Sequence, residues 1–309
     1  MRSVPYILAA VAGINLPFVT AHLDNINYGA FTQTASYSIA NRLGIFTAYG
    51  LSVTYLQVPN STYGYAQVPN GGYDILTGTI DNLANLRFNQ GRPLTVLGLL
   101  DAGPDLTIAS VGSITSILDL RGKSLMVDSA TSGYAFLLGK VLSLYGLRLE
   151  NGDYTFTVVG GTNIRYAALR NGTFNGQPVF ATTALVTRFV SAVYDANRYL
   201  ASTVDGDRSC AVQAIATQLG IDTEVAELEY AAATDSIIGE ISAGQQGNLT
   251  VDRQGLLNVL DVRTQFGGFG NATIGFNFVD GIEPGKGKTI DYSILTEAIA
   301  GSKGVQVDC

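Results

Sequence analysis

Four times along the chain, a short run suited to a strand breaks into a turn of small hydroxyl, amide or glycine residues. A helical pattern then follows. The four turns are "YGAF" (28–31), "TGTIDN" (77–82), "SATSG" (129–133) and "GGTN" (160–163). Strand–turn–helix repeats place successive strands side by side only through crossover helices, which makes the sheet parallel-rich and covered by helices. The expected class is therefore α/β.

The individual runs fill in this plan. "SVTYLQV" (52–58), "SLMVD" (124–128) and "DYTFTVV" (153–159) read as strands by alternation and β-branching. "LTVLGLL" (94–100), "DLTIASV" (105–111) and "PVFATTA" (178–184) read as further strands. Ile39, Leu43 and Phe46 share a helical face that ends near Gly50. The helix after Thr77–Thr79 ends at Gly91. Leu137, Leu138, Val141, Leu142 and Tyr145 line one face of a helix that stops at Gly146. "NIRYAALRNG" (163–172) reads as the helix after the fourth turn. From residue 185 onward the chain is mostly helical, except for a glycine-rich stretch over 270–290.

A chain of 309 residues with 47% hydrophobic content can bury the cores of two lobes. Its formal charge of −7 argues against nucleic acid or anionic membrane as partners. Residues 1–21, one basic residue followed by an apolar stretch and Val19-x-Ala21, have the pattern of a secretory signal cleaved after Ala21. No later apolar run is long enough for stable membrane insertion. Asn60, Asn171, Asn248 and Asn271 head N-x-Ser/Thr sequons, which fits secretion. The two cysteines, Cys210 and Cys309, are expected to pair in an oxidising compartment, closing a loop of roughly 100 residues and tying down the C-terminal tail.

Turns at the carboxyl ends of parallel strands face a common crevice, and helix starts there offer free N–H groups. Such turns can hold a carboxylate, sulfonate or phosphate without a basic side chain. Ordinary helix capping by Ser and Thr explains any one of them equally well. No phosphate loop and no dinucleotide fingerprint is present.

Three stretches, "YDILTGTIDNLANLRFNQGRPLTVLG", "DLRGKSLMVDSATSGYAFLLGKVLSLYGL" and "GGTNIRYAALRNG", resemble the type II periplasmic-binding-protein superfamily. The similar branch is the nitrate/sulfonate/taurine ABC-transporter substrate-binding proteins, grouped with the thiamine-pyrimidine-precursor synthases. The resemblance implies two α/β lobes that close on a small molecule. Lobe 1 is expected over 22–110 plus 184–309, and a shortened lobe 2 over 111–183. It implies ligand contacts from Tyr28, Gly29, Thr77, Gly78, Thr79 and Asn82 in the first lobe. In the second lobe it implies Ser129, Thr131, Ser132, Gly133, Tyr134, Gly161, Thr162 and Asn163. Tyr63 and Tyr65 are further candidates to line the cleft. Asp81 is an unlikely direct ligand for an anion. The expected ligand is a small organic anion or a heteroaromatic metabolite, bound by a monomer without a cofactor or metal; a transporter partner is left open.

Catalytic readings lack their residues. The one histidine, His22, would be the first residue after cleavage, so neither a two-histidine copper brace nor a Ser–His–Asp triad can be built. The carboxylate pairs Asp105/Asp119 and Glu227/Glu229 have no supporting context. The synthases to which the chain is similar use a cysteine-rich iron motif that is absent, with Lys123 and Lys140 left as candidates for a pyridoxal link. A binding fold turned to a structural or interaction role is the other alternative.

Overall fold

A computed structural model describes residues 22–101, 108–110, 114–162, 164–165, 183–270, 276–304 and 307. The first sheet is built around β1 (Asp24–Ala30), with β2 (Leu51–Gln57) on one side and β3 (Ile75–Leu76) on the other. All pairings are parallel, with Tyr28 facing Tyr55 across one edge and Ile75 across the other. On one face of the central strand β1, Ile26, Tyr28 and Ala30 are buried, and Gly29 is buried on the other. The chain crosses from β1 to β2 through α1 (Ala35–Arg42) and the single turn α2 (Ile45–Ala48). It crosses from β2 to β3 through α3 (Ser61–Asn70), and α4 (Ile80–Gln90) follows β3. The second sheet pairs β4 (Ser124–Val127) with β5 (Thr155–Val158), again in parallel, joined through α5 (Gly133–Leu144).

The chain returns to the first sheet along α6 (Thr183–Ser202). Phe189, Ala192, Val193, Ala196 and Leu200 recur at helical spacing and meet Ile26, Tyr28, Ile39 and Phe46 in the largest core. The helices α7 (Ser209–Leu219) and α8 (Thr223–Ala233) close that core from outside. A second core joins α4 to α9 (Arg253–Gln265) through Ala84, Leu256 and Leu260, with the single turn α10 (Phe278–Gly281) and α11 (Ser293–Ala300) nearby in sequence. The β4–β5 unit has its own core of Leu120, Leu142, Leu147 and Tyr154. We refer to the two α/β units as lobe 1 and lobe 2.

Several local expectations change. The residues 94–100 form no strand: only Val96 makes a bridge, to Ile290, and the segment runs along a cavity instead of beside β3. The helix expected through Ile39, Leu43 and Phe46 to Gly50 is split, because Gly44 adopts φ +71° between α1 and α2. The helix α3 was not expected; its sequence mixes Gly64 and Pro69 with polar residues, and tertiary packing outweighs that weak propensity. Thr183 and Ala184 begin α6 rather than ending a strand, and the rest of "PVFATTA" lies outside the described residues. So do 105–107 and 111 of "DLTIASV" and most of "NIRYAALRNG".

Candidate functional site

Parallel pairing brings the ends of β1 and β3 together, so the turns at Phe31 and Thr77–Thr79 are neighbours. The β4–β5 pairing does the same for residues 128–132 and 159–162. Between the turns of β1 and β3 and the start of α5 lies a cavity of about 800 Å³. Thr77, Gly78, Thr79, Gly133 and Tyr134 are the expected ligand residues that line it. Phe31, Tyr65, Tyr73 and Asp101 line it as well, and the cavity runs on past Leu94–Leu100 towards α9. Phe31 of lobe 1 and Tyr134 of lobe 2 meet edge to face at 6.3 Å, forming an aromatic contact across the lobes.

The remaining expected residues are engaged by the protein itself. The Tyr28 hydroxyl is hydrogen-bonded to Thr77 at 2.7 Å, and its ring is stacked on Tyr37 and packed on Phe189. Gly29 admits the Tyr73 ring, since a Cβ there would sit 2.5 Å from it. Gly78 likewise leaves room for the Tyr65 hydroxyl, which donates to the Thr79 carbonyl. Asn82 donates to Thr79 Oγ1 at 2.8 Å and accepts from Arg263 at 2.8 Å. Ser129 pairs with Thr62 at 3.0 Å. Ser132 caps α5, accepting from the Ala135 N–H at 3.2 Å. The Thr131 carbonyl accepts from Arg263 at 3.0 Å. Gly161 donates its N–H to the Pro59 carbonyl at 2.7 Å, and Thr162 accepts from Arg165. Asn163 lies outside the described residues.

Four helix starts that could have held a guest's negative end face carboxylates of the chain itself. Glu240 accepts from the Ala35 and Ser36 N–H groups at the start of α1, at 2.7 and 2.8 Å. Asp128, buried, accepts from the Ser61 N–H at 3.0 Å and from the hydroxyls of Ser61 and Ser132, which places it on the start of α3. Asp81 lies in the first turn of α4, and its carboxylate also sits against the start of α5, where a Cβ on Gly133 would overlap it. The buried Arg263 holds Asp81 at 2.7 Å, donates to the Gly268 carbonyl and lies over the Phe136 ring.

Burial raises the pKa of Glu240, against the hydrogen bonds from Ser36 and Ala35. Asp101 is exposed to solvent, yet desolvation by its surroundings and then the charge of Glu240 push its pKa up to about 6. Tyr134 is pushed up to about 12, chiefly by burial and then by Asp101, Asp128 and Asp81.

Asp128, Glu240, Arg263 and Asp101 were not expected. Asp128 had a visible signal, since it ends the strand "SLMVD". Arg263 had one too: it falls on the helical face of Leu256 and Leu260, where a charge needs a buried partner. Nothing in the sequence around Glu240 places it at the start of α1.

The NMT1/THI5 like family model matches residues 31–203. The chain belongs to the NMT1/THI5 like family. Its fold is similar to that of a solved protein from Bordetella bronchiseptica RB50, with a TM-score of 0.60 at 14% identity, over 89% of this chain and 96% of that one. It is similar as well to the alkanesulfonate-binding protein of Xanthomonas axonopodis pv. citri bound to MOPS, with a TM-score of 0.50 at 15% identity, over 77% and 93% of the two chains. A Candida albicans protein with the generic periplasmic-binding-protein fold gives a TM-score of 0.48 at 14% identity, over 78% and 95%. No curated protein matches the sequence. The NMT1/THI5 like chain thus shares its α/β fold with the Bordetella and Xanthomonas proteins, as the sequence resemblance implied. Among the described residues, no helix is long and apolar enough to cross a membrane, and no group of three His, Cys, Asp or Glu could hold a metal ion.

Proposed function

We propose that this protein is a secreted, non-catalytic solute-binding member of its family. It holds a small organic anion or heteroaromatic molecule in the cavity between the two lobes. The observation that carries this reading is the cavity itself, about 800 Å³, set at the strand ends and walled by Phe31, Tyr65, Tyr73 and Tyr134. In this reading Thr77–Thr79 and Tyr134 touch the ligand, and lobe 1 spans 22–110 with 184–309 while lobe 2 spans 111–183. The Xanthomonas relative, an alkanesulfonate-binding protein, supports solute binding as a use of this fold. A broad metabolite panel, read by thermal shift and by native mass spectrometry of the secreted protein, tests the proposal. At least one flat small molecule should stabilise the wild type and fail to stabilise Tyr134→Ala. A panel with no hit on a folded, secreted sample would remove the binding role.

Secretion, a Cys210–Cys309 bridge and sequon glycosylation belong to the same proposal. Cys210 is not a free thiol, while Cys309 lies outside the described residues, as do Asn171 and Asn271. Asn248 is exposed, and Asn60 caps α3 by accepting from the Tyr63 N–H at 2.8 Å. Intact-mass measurement before and after deglycosylation and reduction checks all three.

The occupied helix starts favour a second reading, an interaction protein on a binding fold. In that case the panel would find nothing, while affinity capture from the native secretion would yield a stable protein partner.

A further inference from the structure

Resting on the reading that the cavity binds a solute, we infer that its ligand is a flat organic cation, not an anion. Glu240, Asp128 and Asp81 already supply the negative charge that the starts of α1, α3, α4 and α5 attract. An anionic guest would find those amides taken and would meet like charge. The lining gives it nothing in exchange. Among the described residues, Asp74, Asp81, Asp101 and Asp252 line the cavity, and no Lys, Arg or His does. Arg263 is directed away from any guest, since it is buried against Asp81, Asn82, Gly268 and the Phe136 ring.

Within the cavity wall the charges are unequal in availability. Asp81 is neutralised by Arg263, Asp252 caps α9 by accepting from Gln254, and Asp74 accepts from the Asn27 N–H through one oxygen while its other, buried oxygen has no partner among the described residues. Asp101 differs: no described residue donates a hydrogen bond to it or forms an ion pair with it. It sits close enough to Glu240 for the two carboxylates to repel each other. A cation beside Asp101 would relieve that repulsion. The adjoining aromatic walls suit the same guest, because ring faces are negative and attract cations, and a flat body stacks on them.

A matched trio of probes with one shape and three charges tests the inference: benzamidine, benzamide and benzoate, titrated at pH 7.5 into wild type and Asp101→Asn. Benzamidine should bind at least about tenfold more tightly than benzoate, with benzamide between them. Asp101→Asn should weaken benzamidine about tenfold and leave benzamide unchanged, which also shows that the variant keeps its fold. Benzoate binding as tightly as benzamidine, or equal loss of all three probes in a folded Asp101→Asn, would overturn the charge assignment while leaving solute binding intact. If none of the three binds, and the broad panel is silent too, the solute-binding reading falls and the charge assignment with it.

Discussion

Asp101 is solvent-exposed, so water damps the upward push that its surroundings and Glu240 give its pKa. Its pKa rises from 3.8 to about 6, so the folded protein binds that proton more tightly than the unfolded chain does. The resulting stability is present below pH 4 and is lost as the pH rises through about 6. Asp101→Asn should therefore raise Tm relative to wild type at pH 7.5, with no difference at pH 4. An equal shift at both values would show that the effect is not ionisation. Glu240, the other charge that bears on Asp101 in lobe 1, is present in both proteins. Arg263 is the opposite case, a buried charge that is well matched. Arg263→Met leaves Asp81 buried without its partner and should cost about 3–5 kcal/mol in urea unfolding. Replacing both, as Asp81→Leu with Arg263→Met, should recover most of that loss, because no charge then remains without a counter-ion.

At the scale of elements, the helix starts decide what the site can do. The start of α3 is capped twice, by Asn60 on the Tyr63 N–H and by Asp128 from the other lobe on the Ser61 N–H. Asp128→Asn keeps the shape and removes the charge that three donors share. It should cost about 1–3 kcal/mol and speed hydrogen exchange in the first turns of α3 and α5. Unchanged exchange in both turns would mean that the contact is incidental. This is also where the sequence was only half legible. The turns "TGTIDN" and "SATSG" were readable as helix starts, because capping is a local signal. The occupants of the α1 and α3 starts were not, because Glu240 lies about 200 residues from α1, and Asp128 reaches α3 across 67 residues.

Direct hydrogen bonds hold the whole molecule together across its lobes. Ser61 and Thr62 bond to Asp128 and Ser129, Gly161 to Pro59, and Arg263 to the Thr131 carbonyl. The protein should therefore scatter as a closed particle at small angles. The double variant Ser61→Ala/Asp128→Ala should increase its radius of gyration. A ligand-free wild type that already scatters as the open form would contradict the closed arrangement.

By itself the sequence determined the class and the strand–turn–helix plan of the sheets. Alternation, β-branching, capping residues and glycine stops are local, and they led to parallel strands, crossover helices and the turns at strand ends. It also carried the family likeness in three quoted stretches. Tertiary structure alone decided that 94–100 runs along a cavity instead of joining the sheet. It also decided that the helix starts take the protein's own carboxylates and that Arg263 locks Asp81. Those outcomes depend on groups distant in the chain meeting in a low-dielectric interior, where a charge needs a partner and one spacing pattern serves equally for a ligand or a neighbouring side chain.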